Sequence, residues 1–406
     1  MIYLDNASTT KVSEESIEAI AKNLRAYWSN PSSLHFYGKE SAKRLAMSRG
    51  KIEMYINAEE DTAVFTSSGS EANSLVILGL QYWFRTIGKT HVITSRYEHK
   101  SVLNSFRELE NQGFRVDYVN IKPDGTIDFD HLKSLIKTET GFVSIMYVNN
   151  ELGTVNNIPQ ISKLCKEKNI LFHTDAVQAA GVFSLDVKAL GVDFMTVSGH
   201  KIGAPPGIGF LYAKNPKLLT NIIYGGGQEF GLRPGTENLA YIEALEKSVK
   251  TTVLDVCQNH HKISVLSSAF LIQLAGYASR DKDFEFFVNG DLSSEKMLDE
   301  NIRQCFDDED ITNKILSIRF PGVDAQTLLM ELDGRGVCVS SGSACNSNSV
   351  EPSHVLKALG LSDEEANSTI RISFSENNTI DEICTATKII YESVQFLKNL
   401  EVEDFP

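Results

Sequence analysis

Lys201 closes the run VSGHK, which follows an apolar stretch and leads into the Gly/Pro-rich turn IGAPPGIG. A lysine so placed stands at a strand end, beside a turn that lets backbone approach a ligand closely; its alternative reading is a solvated charge. About one β-unit earlier Asp175 ends the run ILFHT, and Gln178 lies three residues further on. A lysine amine can form a Schiff base with an aldehyde, and a carboxylate can keep a ring nitrogen protonated so that the ring takes up electrons. This strand-end pair therefore fits pyridoxal phosphate, the alternative being that Asp175 only caps the following helix. The run AVFTSSGSEANSLVI passes from strand through a Ser/Gly turn into a helix, which brings backbone N–H groups and hydroxyls, Ser70 foremost, to a positive helix end where phosphate can sit. Such turns are common in α/β proteins, and no GK[ST] follows that would make this one a P-loop.

Three further residues could do chemistry. His99, in RYEHKS just past the run HVITS, can stack on a ring and exchange protons near neutral pH, or can be a hydrogen-bonded structural histidine. Arg371 lies in STIRISF among apolar residues, where an unpaired guanidinium is costly. It needs an anionic partner, either a substrate carboxylate held by its two-pronged fork or a buried structural salt bridge. Cys345 stands in the polar stretch SSGSACNSNS, read as a mobile loop, where a thiol stays accessible and can act as a nucleophile. The other cysteines, Cys165, Cys257, Cys305, Cys338 and Cys384, read as inert packing residues.

The elements that must position these groups follow from periodicity. Between about residues 60 and 215, β-rich runs alternate with helical stretches: AVFT then EANSLVILGLQYWF, HVITS then KSVLNSFRELE, FVSIMYV then ISKLCKEKN, then ILFHTD. That alternation predicts a largely parallel sheet covered by helices on both faces, with ligands beyond the carboxyl ends of the strands. After about residue 250 come longer helices, the acidic stretch QCFDDEDIT, an apolar strand ILSIRF and a second strand pair around GVCVSS and TIRISF, the pattern of a smaller α+β domain. The expected division is a large domain over 16–255 and a small one made of 1–15 and 256–406.

Composition narrows the classes. With 39 Lys and Arg against 53 Asp and Glu the formal net charge is −14, which speaks against a broad phosphate-neutralising surface and so against nucleic acid as a direct partner. The start, MIYLDNASTTKV, does not read as a signal peptide, and apolar runs such as LVILGL are too short to span a bilayer, so a cytoplasmic protein with no membrane partner is expected. Six scattered cysteines signal neither a disulfide framework nor a metal site.

Ordered blocks along nearly the whole chain resemble one family. They are YLDNASTT (3–10), NPSSLH (30–35), FTSSGSEAN (65–73), EHKSVL (98–103), VNNELGTV (148–155), FHTDAVQAAG (172–181), SGHKIGAPPGIG (198–209), GGGQEFGLRPGTEN (225–238) and SSGSACNSNSVEPSHVLKALGL (340–361). With these the sequence is similar to group I cysteine desulfurases of the NifS/IscS type, within the class V pyridoxal-phosphate-dependent aminotransferase family. The resemblance implies the aspartate aminotransferase-like fold and a homodimer that converts L-cysteine to L-alanine. Lys201 would form the Schiff base, Asp175 would pair with the pyridine nitrogen, Gln178 would bond the phenolic oxygen and His99 would stack on the ring. Ser70, Ser198 and His200 would hold the phosphate, joined by Thr236 from the partner subunit. Asn150 and Arg371 would bind the substrate carboxylate, and Cys345 would take the sulfur as a persulfide and pass it to an acceptor protein. Iron–sulfur scaffolds, tRNA-thiolation enzymes and DNA-phosphorothioation systems draw on such donors.

The chain departs from the pattern in places. Ser68 and Gly69 replace the usual Gly-small pair, Ser70 stands where Thr is common, Phe230 where many relatives have Arg, and Pro206 where Lys is frequent. The last two touch partner docking more than chemistry, as does a longer, more acidic stretch over 265–310. A class V aminotransferase is the nearest rival, since Lys201, Asp175 and the phosphate seat serve it equally; Cys345 discriminates. Selenocysteine lyases usually carry a different cysteine motif. A noncatalytic paralogue is opposed by the intact lysine, aspartate and cysteine.

Overall fold

The structure is a computed structural model that describes residues 1–290, 313–342 and 351–403. Cys345, Cys305 and the stretch QCFDDEDIT lie outside the described residues.

A seven-stranded sheet forms the centre, in the spatial order Ala63–Thr66, Gly209–Ala213, Phe194–Ser198, Leu171–Asp175, Thr140–Ser144, His91–Ser95 and Arg115–Val119. All neighbours pair in parallel except Gly209–Ala213, which runs against both of its neighbours. Helices cover both faces, so the inner strands are buried along nearly their whole length; the edge strand Arg115–Val119 is mostly accessible and carries Arg and Asp, which discourage pairing with another chain. Because the strands are parallel, their carboxyl ends fall along one edge. Ser95, Ser144, Asp175 and Ser198 are each the last residue of a strand there.

The expected α/β class and mainly parallel sheet are what the structure has, with corrections of detail. The stretch predicted as one helix from EANSLVILGLQYWF is two, Gly69–Gly79 and Gln81–Thr86. The Gly79 carbonyl is taken by the backbone N–H and the hydroxyl of Thr220, at 2.9 and 3.0 Å, and a Cβ at Gly79 would come within 2.8 Å of the Thr220 oxygen. A tertiary contact thus interrupts a pattern that was locally continuous. The strand predicted from FVSIMYV ends at Ser144, where the chain turns toward the site.

A second, smaller body packs its own core. Ile315–Arg319 pairs antiparallel with Thr369–Ser373 and with Phe287–Val288, and Ile2–Tyr3 runs parallel to Val337–Cys338. The long helices Val256–Ala278 and Ile380–Glu403 close over these strands, burying Leu4, Phe270, Phe320, Ile372, Phe374 and Ile390 together. The segments GVCVSS and TIRISF do not form a pair of their own: the first joins the amino-terminal strand, the second joins Ile315–Arg319, and a single bridge, Ser340 to Arg371, connects them. The amino terminus supplies the strand that GVCVSS needs, a long-range pairing that no local pattern encodes. Leu4 is buried in this second core while the next residues, Asp5 to Ser8, run across to the carboxyl edge of the central sheet.

The cysteines divide. Cys165 is buried as a packing residue should be and Cys338 is half-buried on its strand, but Cys257 and Cys384 are exposed, so the packing reading fails for these two. Cys257 and Cys384 sit on solvent-facing sides of the long helices, where nothing requires an apolar side chain.

Candidate active site

Nine of the residues singled out by sequence, Lys201, Asp175, Gln178, His99, Ser70, Ser198, His200, Asn150 and Arg371, line one cavity of about 220 Å³ at the carboxyl edge of the central sheet. Thr236 is exposed and outside that lining, so within a single chain it does not reach the cavity.

Lys201 ends a single helical turn, Gly199–Lys201, directly after the strand Phe194–Ser198. Its ammonium donates to the carbonyls of Ala7 and Ser8. Asp175 is almost completely buried; one carboxylate oxygen accepts from the Val177 N–H at 3.0 Å and the other from Asn73 Nδ2 at 2.7 Å. The first bond stabilises the turn after its strand; no helix starts there, so the helix-capping alternative is not what the structure has, and the carboxylate lines the cavity. Gln178 donates its amide to the Ala7 carbonyl at 2.9 Å.

A chain of hydrogen bonds joins the aspartate to the histidine. Asn73 Nδ2 also donates to the Ser101 hydroxyl at 2.9 Å, leaving that hydroxyl's proton for His99 Nδ1 at 2.8 Å, and the Ser101 N–H points to the same nitrogen at 3.2 Å. With Nδ1 accepting, the neutral imidazole carries its proton on Nε2. Burial lowers the His99 pKa; the Asp175 charge opposes this, while Lys201, His354 and Lys100 reinforce it. His200, whose Nδ1 lies 3.2 Å from the Thr9 hydroxyl, is pushed down to about 4, by burial first and then by Lys201 and His99. Both imidazoles are therefore neutral at neutral pH.

The helix Gly69–Gly79 starts at the cavity with Ser68 as its cap, the hydroxyl accepting from the Glu71 N–H at 3.1 Å. Gly69 packs closely: a Cβ there would stand 3.1 Å from both Ser198 Cβ and Val177 Cγ2, so a larger residue would have to push these side chains back by a few tenths of an ångström for the helix start to stay this close to the strand ends. Replacing the usual pair by Ser68 and Gly69 thus keeps a capped helix end, with Ser70 exposed in the first turn.

Arg371, from the strand Thr369–Ser373 of the smaller body, is buried and ion-paired with Asp5 at 2.9 Å; the same nitrogen donates to Ser8 Oγ at 2.6 Å, and Nη1 donates to the Asn150 carbonyl at 2.9 Å. The structural salt bridge is real, and it fixes the guanidinium at the cavity wall rather than withdrawing it. Arg371 Nε, Asn150 Oδ1, Gln178 Oε1 and Asn73 Oδ1 are buried with no hydrogen-bond partner among the described residues. Buried polar atoms are normally satisfied. Such a group of orphans around one cavity is what a bound polar molecule would complete.

Sequence reasoning did not single out Asn73, Ser101, Ala7 or Ser8. The blocks FTSSGSEAN and YLDNASTT contained three of them, but only the fold shows that the amino-terminal segment supplies the carbonyls facing Lys201. Phe230, together with Glu229, has a left-handed backbone; its ring lies over the Arg49 guanidinium, 4.8 Å from the ring centroid, and Arg49 is ion-paired with Glu229 at 2.7 Å.

The sequence model of the Aminotransferase class-V family matches residues 2–276 and 292–385. This chain belongs to that family. Among its relatives, the putative cysteine desulfurase IscS 1 of Bacillus subtilis is 38% identical over 397 residues, covering 98% of this chain and 99% of the relative. A solved structure described as a NifS-like protein superposes with a TM-score of 0.85 at 29% identity, covering 98% of this chain and all of the other. A structure of SspA in complex with cysteine superposes with a TM-score of 0.75 at 32% identity over 93% of this chain and all of that one. The expected kinship to the cysteine desulfurases of the class V family is therefore borne out, and with it the fold.

Proposed function

We propose that this class V protein, a cysteine desulfurase by kinship, removes sulfur from L-cysteine in the cavity that Lys201, Asp175 and Arg371 share. The observation that carries the reading is the meeting of an amine and a buried carboxylate from consecutive strands with a buried guanidinium from far along the chain, around one set of orphaned polar atoms. The family depends on pyridoxal phosphate, and the cavity fits it: Lys201 would hold the aldehyde, Asp175 the ring nitrogen, Gln178 and His99 the ring, and Ser70, Ser198 and His200 the phosphate. When bound, that group supplies an electron sink for bond cleavage next to the amino-bearing carbon.

The chain's own residues do the rest. Arg371, held by Asp5 and Ser8, presents its guanidinium to the substrate carboxylate, and Asn150, which lines the same cavity, would donate its Nδ2 to it. His99, neutral with its proton on Nε2, can hand that proton on and take one back. Cys345 accepts the substrate sulfur: its thiolate forms the S–S bond, the C–S bond breaks, the electron pair goes to carbon, and a proton completes alanine. The persulfide then passes to an acceptor protein, for which iron–sulfur assembly is our first choice because IscS-named relatives match this chain over almost its full length.

We further propose a homodimer in which Thr236 completes the partner's phosphate site. In support, Trp28, Phe36 and Tyr37 form an aromatic cluster left 72%, 70% and 59% exposed, and exposed apolar patches of this kind mark interfaces. The division at 16–255 against 1–15 with 256–406 is likewise our reading, supported by the two sheets and the burial of Leu4 in the second core. No helix of the described residues is long and apolar enough to cross a membrane, and Cys165, Cys257, Cys338 and Cys384 are free thiols, which supports a cytoplasmic site.

The test is Cys345→Ser. Alanine release from L-cysteine should vanish while the visible absorbance of the bound cofactor persists; unchanged turnover would favour an aminotransferase.

A further inference from the structure

The described chain on either side of residues 343–350 is tied to the substrate-binding wall of the cavity through one buried carboxylate, that of Glu151. Glu151 is 1% exposed and follows Asn150 in a tight turn, whose shape is fixed by Asn149 Oδ1 accepting from the Glu151 and Leu152 N–H groups, both at 2.9 Å. Ser353 donates its hydroxyl to Glu151 Oε2. That hydroxyl also accepts from the Val355 N–H at 3.1 Å and caps the helix His354–Leu359, so its hydrogen-bonding capacity is committed to holding this one geometry. His354 adds a second tie, its Nε2 lying 2.9 Å from the carbonyl of Glu98, the residue before His99.

On the other flank Gly342 passes over the same carboxylate. Its φ is +61°, and a Cβ there would stand 2.9 Å from Glu151 Oε2. Ser340, two residues earlier, is bridged to Arg371 through backbone hydrogen bonds, and Arg371 in turn donates to the Asn150 carbonyl. Ser340, Arg371, Asn150, Glu151 and Ser353 thus form a connected circuit that includes both proposed carboxylate-binding residues and both flanks of the segment bearing Cys345. Cys345 follows Gly342 by three residues in the sequence, so the contact that holds Gly342 acts on the flank from which that segment leaves.

We propose that Glu151 is a positioning residue for sulfur transfer: through Ser353, and by packing under Gly342, it registers the flanks of the Cys345 segment against Asn150 and Arg371. This rests on Cys345 being the sulfur acceptor. Glu151 touches neither substrate nor cofactor in this role, so its loss should slow the arrival of the thiol without weakening substrate binding. A purely structural residue would instead lower cofactor retention and substrate affinity together.

The experiment uses the full-length holoenzyme and L-cysteine, with mass spectrometry of Cys345 in single turnover, alanine release, and cofactor absorbance read in parallel. Glu151→Ala should slow persulfide formation on Cys345 by about tenfold or more while the Michaelis constant for cysteine and the absorbance stay within about twofold. Glu151→Gln, whose amide oxygen can still accept from Ser353, should restore the rate to within about threefold of the parent. Ser353→Ala should reproduce the defect, and the double variant should be no slower than either single one, because both remove the same link. Should Glu151→Ala not fold, Ser353→Ala carries the same test. A persulfide rate in the alanine variants within about twofold of the parent, or defects that multiply in the double variant, would overturn the role of Glu151 alone. A parent enzyme that never carries sulfur on Cys345 would overturn the acceptor reading and this proposal with it.

Discussion

The floor and the wall of the cavity are built in opposite ways. The floor consists of Asp175, Ser198 and Lys201, carried by adjacent parallel strands, Leu171–Asp175 and Phe194–Ser198, in whose register Asp175 pairs with Thr196 and the second strand runs on past it to Ser198 and the turn that holds Lys201. The wall consists of Arg371 and Asn150, which meet because an antiparallel strand of the smaller body packs against a turn of the central sheet, with Asp5 and Ser8 wedged between. A sheet places chemistry by counting residues along a strand; a junction between two cores places it by packing. The floor should therefore govern the chemical step and the wall should govern substrate capture.

Lys201→Ala offers the largest way to break this contrast. Alanine formation should fall on the order of 10³-fold or more, with loss of the cofactor's visible absorbance shift, because no other described cavity residue supplies an amine. A variant that kept its turnover and lost only substrate affinity would show that floor and wall are not separate.

Arg371→Lys should act on the wall. An ammonium cannot reproduce the fork that reaches Asp5, Ser8 and the Asn150 carbonyl at once, so the Michaelis constant for cysteine should rise about 10- to 100-fold with a much smaller change in maximal turnover. Steady-state kinetics separates the two quantities. An equal fall in turnover with an unchanged Michaelis constant would contradict the assignment.

The smallest effect concerns the support beneath the site. Glu98 is fully buried; its Oε1 accepts from Ser95 Oγ at 2.8 Å and from the Met146 N–H at 2.9 Å. Burial, with a smaller contribution from Asp175, raises its pKa from 4.5 to about 8. The folded protein then holds a proton that the unfolded chain releases, so this group's contribution to stability is full below pH 4.5 and is lost as the pH rises to about 8. Glu98→Gln stays neutral throughout. Thermal melts of the cofactor-free protein should show the variant gaining on the parent as the pH climbs through that window and holding a constant advantage above it. A difference independent of pH would mean that the carboxyl is ionised in the fold.

Much of the fold was legible because its signals are local. AVFT and HVITS coincide with strands to the residue, KSVLNSFRELE falls within a helix and ISKLCKEKN overruns its helix by two residues, since apolar runs and amphipathic spacing state burial directly. The break at Leu80 was not legible, because it comes from Thr220, far along the chain, capturing the Gly79 carbonyl. The pairing of Ile2–Tyr3 with Val337–Cys338 and the exposure of Cys257 and Cys384 were hidden for the same reason: each depends on a distant partner or on its absence.

The sequence by itself determined the chemical inventory, a strand-end lysine and aspartate, a capped helix start and an arginine on an apolar strand, and the ordered motifs that give the chain its kinship. Tertiary structure decided how these groups are held: that Arg371 is anchored by Asp5, that Asn73 and Ser101 fix the proton of His99 on Nε2, and that Glu151 lies beneath both flanks of the segment bearing Cys345. Composition and periodicity report what each stretch of chain must bury, whereas a hydrogen bond between residues two hundred positions apart exists only once two cores have packed.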